Sequence, residues 1–253
     1  MSTKGKISLI GAGPGDIELI TVKGVRILKE ADVILYDALV NEGFLDYNQT
    51  AEKIYVGKRL GRHSKKQFEI NHLIVQLAQQ GKKVVRLKGG DVSVFARASE
   101  ELEAAQLFGI ETELIPGISS YSGIAAKHQI PLTKRGESES FWVITGHTAK
   151  GNASSDIALA AQSTATVLIL MGIKNLPYII NEFKKHKSDS YPIAIIQNGT
   201  MPNEKVVLAD IEHIEQAVEE NRISNPALIV IGPAASYAKT VHYSSYINKQ
   251  LVS

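Results

Sequence analysis

Cysteine is absent from this chain of 253 residues. Its absence excludes disulfides, thiolate nucleophiles and zinc sites built on thiolates. The seven histidines show no metal-ligand spacing, so the sequence predicts no metal centre. A strong charge bias is missing too, because the formal net charge is only +2. We therefore expect no nucleic-acid partner, and an acidic small molecule would have to be met by local basic clusters.

Long hydrophobic runs are also missing. No apolar segment approaches the roughly 20 residues that span a bilayer. The apolar residues 7–10 behind the basic start run straight into glycines, which is too short for a secretory signal peptide. Hydrophobic residues make up 44% of the chain and charged residues 21%, a balance typical of globular proteins. The sequence thus predicts a soluble, cytoplasmic protein without a membrane partner.

What the chain does contain is a repeated α/β pattern, in which short apolar strands alternate with helical periodicity. Residues 131–140 (PLTKRGESES) are polar and look like a linker. The pattern predicts two α/β domains, residues 1–136 and 137–253, with a ligand cleft between them. The predicted strands are residues 6–10, 33–36, 53–56, 84–87, 112–115, 141–145, 166–170, 193–197, 205–209 and 227–231.

The stretch at residues 84–101 (VVRLKGGDVSVFARASEE) favours a ligand site. Its strand ends in Gly89 and Gly90, and glycine lets the backbone approach a ligand at the carboxyl edge of an open sheet. Asp91 could accept hydrogen bonds from a ligand, and Arg97 offers a planar fork for a carboxylate. The alternative is an ordinary turn whose charged side chains are solvated.

Another glycine loop, residues 11–16 (GAGPGD), follows the first strand. Its spacing is Gly-x-Gly-x-Gly, whereas dinucleotide-binding turns have Gly-x-Gly-x-x-Gly, and Pro14 removes a backbone donor. The spacing therefore argues against a nicotinamide cofactor.

Charged residues follow two more strands. Asp37 comes after the strand at residues 33–36, where it is either a catalytic group or a turn former. Residues 57–66 form a basic loop containing Lys58, Arg59 and Arg62, which suits either an anionic substrate or solvent.

From about residue 6 to residue 231 the chain resembles the uroporphyrinogen-III C-methyltransferases of the tetrapyrrole methylase family, because it carries their motifs in the same order. One such motif would be weak evidence, whereas the whole series in register is specific. The motifs are GAGPGD (11–16), LYDALV (35–40), VGKR (56–59), VVRLKGGD (84–91), VFAR (94–97), PGISS (116–120), IPLTKR (130–135), TGH (145–147), LMG (170–172), QNGT (197–200) and PALIVIG (226–232).

The resemblance implies a two-domain α/β tetrapyrrole methylase fold, with S-adenosylmethionine in the cleft between the domains and a homodimer as the assembly. By position, the cofactor contacts of the family fall on Pro14, Gly89, Gly90, Asp91, Val94, Ser119, Ser120, Met171 and Gly199.

The implied reaction is methylation of uroporphyrinogen III at two ring carbons to give precorrin-2, on the route to sirohaem or cobalamin. S-adenosylhomocysteine is the product of the cofactor, and no metal is needed. The alternatives are a methylase of a later corrin precursor and a non-catalytic homologue that binds the cofactor or a tetrapyrrole.

The resemblance also assigns roles to individual residues. It makes Asp37 the proton acceptor and Lys58 the proton donor, and it places Arg97 and Glu100 near the tetrapyrrole, Arg97 as a further catalytic residue. The substrate bears eight carboxylates, for which arginine forks are suited. The candidate carboxylate contacts are Arg59, Arg62, Lys65, Lys66, Arg97 and Arg135.

The chain departs from the family where the family reads GGDPF and then VFGRGGEE. Val92 and Ser93 replace Pro-Phe, Ala96 replaces a glycine, and Ala98 and Ser99 replace Gly-Gly. The loss of three permissive positions predicts a stiffer or reshaped loop. Two smaller departures are Lys134, where the family has histidine, and Gln197, where it has glutamate.

Overall fold

A computed structural model describes residues 5–57, 66–148 and 150–238. The chain divides into two compact units, residues 1–120 (the first unit) and 121–253 (the second unit). The predicted boundary after residue 136 falls inside the second unit, and limited proteolysis would test which boundary governs the chain in solution. Among the residues described, no helix has the length and apolar character needed to cross a membrane.

The first unit contains a five-stranded sheet in which every pairing is parallel. The order β3-β2-β4-β1-β5 puts β1 and β4 in the middle, so the loops after these two strands are neighbours. The strands are β1 (Lys6–Gly11), β2 (Val33–Tyr36), β3 (Glu52–Tyr55), β4 (Lys83–Lys88) and β5 (Glu111–Ile115). The helices are α1 (Val22–Lys29), α2 (Gln67–Gln79) and α3 (Ala98–Leu107).

Apolar residues cover both faces of this sheet, as is usual for parallel sheets. Alternate residues of a strand point to opposite faces, so Val84 packs in one cluster and Val85 in another. The first cluster includes Ile70 and Ile74 of α2, and the second includes Phe44 of a 3₁₀ helix at Glu42–Tyr47. Both faces of the sheet are therefore buried, and the loops that follow its strands lie at its carboxyl edge.

The second unit contains a mixed five-stranded sheet of order β6-β7-β10-β8-β9. Only β6 and β7 are parallel, and the other pairings are antiparallel. The strands are β6 (Phe141–Thr145), β7 (Thr166–Leu170), β8 (Pro192–Gln197), β9 (Lys205–Asp210) and β10 (Ala227–Ile231). The helices are α4 (Ser120–Lys127), which starts at the last residue of the first unit, α5 (Asp156–Gln162), α6 (Leu176–Lys184) and α7 (Ile214–Glu220).

The polar segment at residues 131–140 is attached to the second unit. Lys134 and Ser138 form an isolated antiparallel bridge. The buried hydroxyl of Ser138 lies 3.0 Å from the Oγ1 of Thr166 on β7, and it donates to the carbonyl of Ser140 at 3.0 Å. This polar stretch therefore owes its order to side-chain hydrogen bonds, which its composition alone does not reveal.

Candidate active site

Three glycine loops cross at the carboxyl edge of the first sheet. Gly13 and Gly90 exchange backbone hydrogen bonds of 3.1 and 2.7 Å. A Cβ at Gly117 would lie 2.4 Å from the carbonyl oxygen of Gly90, and a Cβ at Gly11 would lie 2.6 Å from the nitrogen of Gly117. Because backbone atoms cannot turn aside as a side chain can, these contacts require glycine. The loops after β1, β4 and β5 thus meet backbone to backbone.

The predicted cofactor residues of the first unit gather around this crossing. Gly89 fits against the loop after β2, since a Cβ there would lie 2.8 Å from the Cβ of Leu39. Gly90 has a φ of 68°, and a Cβ on it would meet no atom nearer than the nitrogen of Ser120 at 3.7 Å. Pro14 directly follows Gly13, and Ser119 is buried. Pro14, Gly89, Gly90, Ser119 and Ser120 therefore lie at one edge.

The carboxylate of Asp91 holds two of these loops together. Its Oδ2 accepts from the backbone N–H of Gly117 at 2.8 Å, and its Oδ1 accepts from the backbone N–H of Ser93 at 2.8 Å and from the Ser93 hydroxyl. Partial burial raises the pKa of Asp91, but the hydrogen bonds from Ser93 and Gly117 outweigh it and leave the pKa below its usual value. The sequence predicts a ligand contact here, and the observed contacts show that Asp91 also fixes the loops that surround Gly90.

In the altered loop after Asp91, the residues with positive φ angles are not the ones that replace the glycines of the family. The positive φ angles belong to Phe95 (51°) and Arg97 (55°). Ala96 is not among the positive-φ residues, and Ala98 and Ser99 start α3. Ala96, Ala98 and Ser99, which stand where the family has glycine, therefore have no left-handed backbone and carry no strain of that kind. The N–H of Val94 donates to the carbonyl of Asp91 at 3.3 Å and closes the turn.

Asp37 stands at the carboxyl end of β2 with both oxygens engaged. Its Oδ1 accepts from the N–H of Leu39 at 3.1 Å, and its Oδ2 accepts from the Nη2 of Arg86 at 2.9 Å. The Asp37 side chain is 24% exposed, whereas that of Arg86 is only 4% exposed. The buried guanidinium of Arg86 therefore orients the Asp37 carboxylate, which remains partly exposed to solvent.

Arg86 belongs to a buried charge network, which consists of Asp37, Arg86, Lys88 and Glu101. Glu101 Oε1 accepts from Arg86 Nε at 3.2 Å, from Lys88 Nζ at 2.9 Å and from Gln67 Nε2 at 3.2 Å. Burial, and then the charge of Arg86, lower the pKa of Lys88. Within the described residues, Glu101 Oε2 has no hydrogen-bond partner. The network contains two cations and two anions, so its formal charges balance.

The sequence analysis missed Arg86, Lys88 and Glu101 of this network. Arg86 and Lys88 lie two positions apart on a buried strand, so both side chains point to the same face. Charged residues at that spacing inside an apolar run are a signal, because buried lysine and arginine need partners. The partner, Glu101, stands on α3 beside the predicted substrate residues.

The predicted substrate residues Arg97 and Glu100 pair with each other. Arg97 Nε and Nη2 donate to the two carboxylate oxygens of Glu100 at 2.7 and 2.8 Å. The hydrogen bonds to Glu100 raise the pKa of Arg97, and in turn they lower the pKa of Glu100. A guanidinium has five N–H donors, so this pairing occupies one edge of the fork and leaves other donors for a substrate carboxylate.

The remaining predicted residues are spread over the chain. Met171 follows β7 with a φ of 57°, and Gly199 lies in the loop after β8. Arg135 is exposed within the turn between Lys134 and Ser138. Lys58, Arg59, Arg62 and Lys65 lie outside the described residues.

Comparison with known proteins identifies the relatives of this fold and site. The family model described as Tetrapyrrole (Corrin/Porphyrin) Methylases matches residues 6–215. A uroporphyrinogen-III C-methyltransferase of Methanocaldococcus jannaschii is 43% identical over 231 residues, which cover 90% of this chain and 96% of the relative. A sirohaem synthase of Actinobacillus pleuropneumoniae is 41% identical over 98% of this chain, which spans about half (51%) of that longer protein.

Two solved structures of methyltransferases also align with this chain. The uroporphyrin-III C-methyltransferase of Thermus thermophilus, complexed with S-adenyl homocysteine, aligns with a TM-score of 0.79 and 36% identity over 92% of this chain and 99% of that one. A cobalt precorrin-4 methyltransferase aligns with a TM-score of 0.82 and 27% identity over 91% of this chain and 95% of that one.

Proposed function

The chain belongs to the tetrapyrrole (corrin/porphyrin) methylase family, and from that premise we propose that it methylates uroporphyrinogen III at two ring carbons, with S-adenosylmethionine as the methyl donor, to give precorrin-2. The observation that carries this proposal is the match to the M. jannaschii uroporphyrinogen-III C-methyltransferase, which is 43% identical and covered over 96% of its length. The site geometry supports it at the cofactor edge and at Asp37.

The residues of the first unit suit S-adenosylmethionine. Gly90 presents an open face, because a side chain there would enter space with no atom nearer than 3.7 Å. Backbone groups of Gly89 and Gly90, with the hydroxyls of Ser119 and Ser120, would hold the polar parts of the cofactor. We include Pro14, Val94, Met171 and Gly199 in the site by their positions in the family motifs. When bound, the cofactor supplies an electrophilic methyl group to a nucleophilic ring carbon.

Asp37 is the proposed acceptor of the proton that the methylated ring carbon loses. Its two hydrogen bonds, from Leu39 N–H and Arg86, fix the carboxylate plane, and its exposed side leaves lone pairs for the ring proton. Fixed orientation of a reacting group contributes to the rate, because its freedom is already restricted when the substrate is bound beside it. Lys58 remains the proposed proton donor.

Arginines are proposed to bind the substrate carboxylates. Arg97 lies at the start of α3; its side chain is 58% exposed, and its guanidinium is already aligned by Glu100. Planar forks bind carboxylates through two parallel hydrogen bonds, which fix both position and orientation. The other proposed contacts are Arg59, Arg62 and Arg135.

A second candidate function is methylation of a later corrin precursor. It is favoured by the TM-score of 0.82 to the cobalt precorrin-4 methyltransferase, but the identity of 27% is well below the 43% of the first candidate. A non-catalytic homologue is the third possibility. We further propose that the protein is cytoplasmic and forms a homodimer, and sedimentation of the purified protein would test the homodimer.

The test is anaerobic incubation of the protein with S-adenosylmethionine and freshly generated uroporphyrinogen III, followed by the mass of the product. Two added methyl groups are expected. An unchanged mass with a later corrin precursor methylated would favour the second function, and no methylation of either by protein that binds S-adenosylhomocysteine would favour the third.

Two variants would separate the substrate side from the cofactor side. Arg97→Ala should reduce methylation by about 100-fold, because a bidentate charged contact is lost, while S-adenosylhomocysteine affinity stays unchanged. Asp91→Ala should abolish measurable cofactor binding, since the loops around Gly90 lose their shared acceptor. Arg26→Ala, an exposed arginine on α1, is the control and should alter neither property.

A further inference from the structure

The loop between β8 and β9 of the second unit has a strained backbone. Asn198 and Thr200 have φ angles of 51° and 72°, with Gly199 between them. A positive φ is uncommon for any residue other than glycine, and for a β-branched residue such as threonine it is an outlier. Such a conformation persists only where surrounding contacts enforce it.

Glu204, at the end of this loop, contacts the strained residue Thr200 directly. Its Oε2 accepts from the backbone N–H of Thr200 at 2.6 Å and from Lys127 Nζ at 3.1 Å, and its Oε1 lies 3.1 Å from His128 Nε2. The Glu204 side chain is 13% exposed and that of His128 is 6% exposed, so their contact is largely shielded from water, whereas Lys127 is 44% exposed. Burial alone would raise the pKa of Glu204, but its hydrogen bonds to Thr200, Lys127 and His128 outweigh this effect. The pKa therefore lies below its ordinary value, and the group stays ionised.

Helix α4, which ends at Lys127, also packs against the loop. A Cβ at Gly199 would lie 2.4 Å from the Cδ1 and Cγ1 atoms of Ile124 on α4, so the loop rests directly on that helix. Lys127 ends α4, and His128 follows it. The loop is thus held at its middle by packing and at its end by the carboxylate of Glu204.

We propose that Glu204 is a positioning residue for the cofactor: by binding the Thr200 amide and anchoring it to Lys127 and His128, it holds Gly199 in the conformation that admits S-adenosylmethionine. The inference rests on the proposed function, which puts Gly199 in the cofactor site. Without Glu204 the Thr200 amide loses its acceptor, and the loop relaxes towards unstrained angles that move Gly199.

The test compares Glu204→Ala, Glu204→Gln and a control by calorimetric titration with S-adenosylhomocysteine. Glu204→Ala should raise the dissociation constant about tenfold, and Glu204→Gln, whose amide oxygen still accepts from Thr200, should stay within about threefold of the wild type. Glu182→Ala is the matched control: Glu182 is also buried in the second unit and accepts from a lysine, Lys185 Nζ, at 2.6 Å, but it lies on α6. This control should lose stability without losing affinity.

Hydrogen exchange at the Thr200 amide supplies a readout that does not depend on activity. Protection should be high in the wild type and in Glu204→Gln and low in Glu204→Ala. Wild-type affinity in Glu204→Ala, or an affinity loss equally large in Glu182→Ala, would overturn the role of Glu204. If Glu204→Ala does not fold, a tenfold loss in Glu204→Gln with intact Thr200 protection would also overturn it. A wild type that binds no S-adenosylhomocysteine would instead overturn the proposed function, and this role with it.

Discussion

Two glutamates of the first unit each face two cations and differ mainly in depth. Glu101 contacts Arg86 and Lys88 at 3.2 and 2.9 Å, and none of its side chain is exposed. Glu113 contacts Lys6 at 2.9 Å and also pairs with Lys23, while 27% of its side chain is exposed. Each glutamate has two cationic partners, and the main difference between the two is burial.

Burial changes the energetic meaning of the same contacts. Removing two charges from water costs several kcal/mol for each ion, and a buried pair recovers this cost only with good geometry and further hydrogen bonds. A pair at the surface has little to recover and adds about 0–1 kcal/mol. The buried charge network is thus poor evidence for added stability, and its connection to Asp37 suggests that it is retained for orientation.

The exposed set has a different use. Glu113 lies on β5, an edge strand of the first sheet, two positions from Glu111, and Glu111 lies opposite Lys6 of β1. Charged side chains on an edge strand hinder pairing with the edge of another molecule. The exposed pairs of Glu113 therefore hinder strand pairing at the β5 edge, whereas the buried charge network around Glu101 orients the carboxylate of Asp37 through Arg86.

The largest difference is expected on removal of Glu101. Glu101→Ala should lower the free energy of unfolding by about 3–5 kcal/mol, because Arg86 and Lys88 are left buried with Asp37 as their remaining carboxylate. Urea denaturation measures this change. Glu100→Ala is the matched control on the same helix: its side chain is 42% exposed and pairs with Arg97, so the loss should stay within about 1 kcal/mol. Equal losses in the two variants would contradict the effect assigned to burial.

An intermediate effect is expected for Lys88→Met, which keeps the Arg86–Glu101 pair. We expect a loss of about 1–3 kcal/mol near neutral pH, since one charged hydrogen bond to Glu101 disappears. The folded pKa of Lys88 is below the unfolded value of 10.5, so the wild type binds fewer protons when folded and gains stability as pH rises towards 10.5. The variant lacks this gain. The difference between the two proteins, followed by urea denaturation at increasing pH, should therefore widen, and a constant difference would contradict the assigned pKa direction.

Most of the fold could be predicted from the sequence, because short apolar runs stand between glycines and charges. All ten predicted strands are present. Helix α5 was missed, since its seven residues, DIALAAQ, are too few to show a clear helical period beside a loop of glycine and serine. In the sequence, the segment at residues 131–140 is interpreted as a linker because its composition is polar. Its attachment to the second unit depends on the contact of Ser138 with Thr166, which is distant in sequence and so leaves no local pattern.

The candidate site could be predicted in part. Glycines and acids that follow strands pointed to Gly90, Asp91 and Asp37, since such residues meet at the carboxyl edge of a parallel sheet. Local pattern does not contain the pairing of Arg86 with Glu101, which are 15 positions apart, or the left-handed backbone of Thr200. Both features are set by tertiary contacts that override local preference.

The smallest effect in the comparison is expected at Glu113. The pair with Lys23, and then the pair with Lys6, hold the pKa of Glu113 at about 2, below the ordinary value of 4.5. Because the folded pKa is depressed, the stabilisation is present above pH 4.5 and is lost as pH falls towards 2. Glu113→Gln should therefore cost about 1 kcal/mol or less at pH 7, since water screens the exposed pair, and nothing near pH 2. In 1 M salt, with a Debye length of about 3 Å, the cost at pH 7 should also nearly vanish. A loss as large as that of Glu101→Ala, or one that is insensitive to salt, would show that depth does not separate the two glutamates.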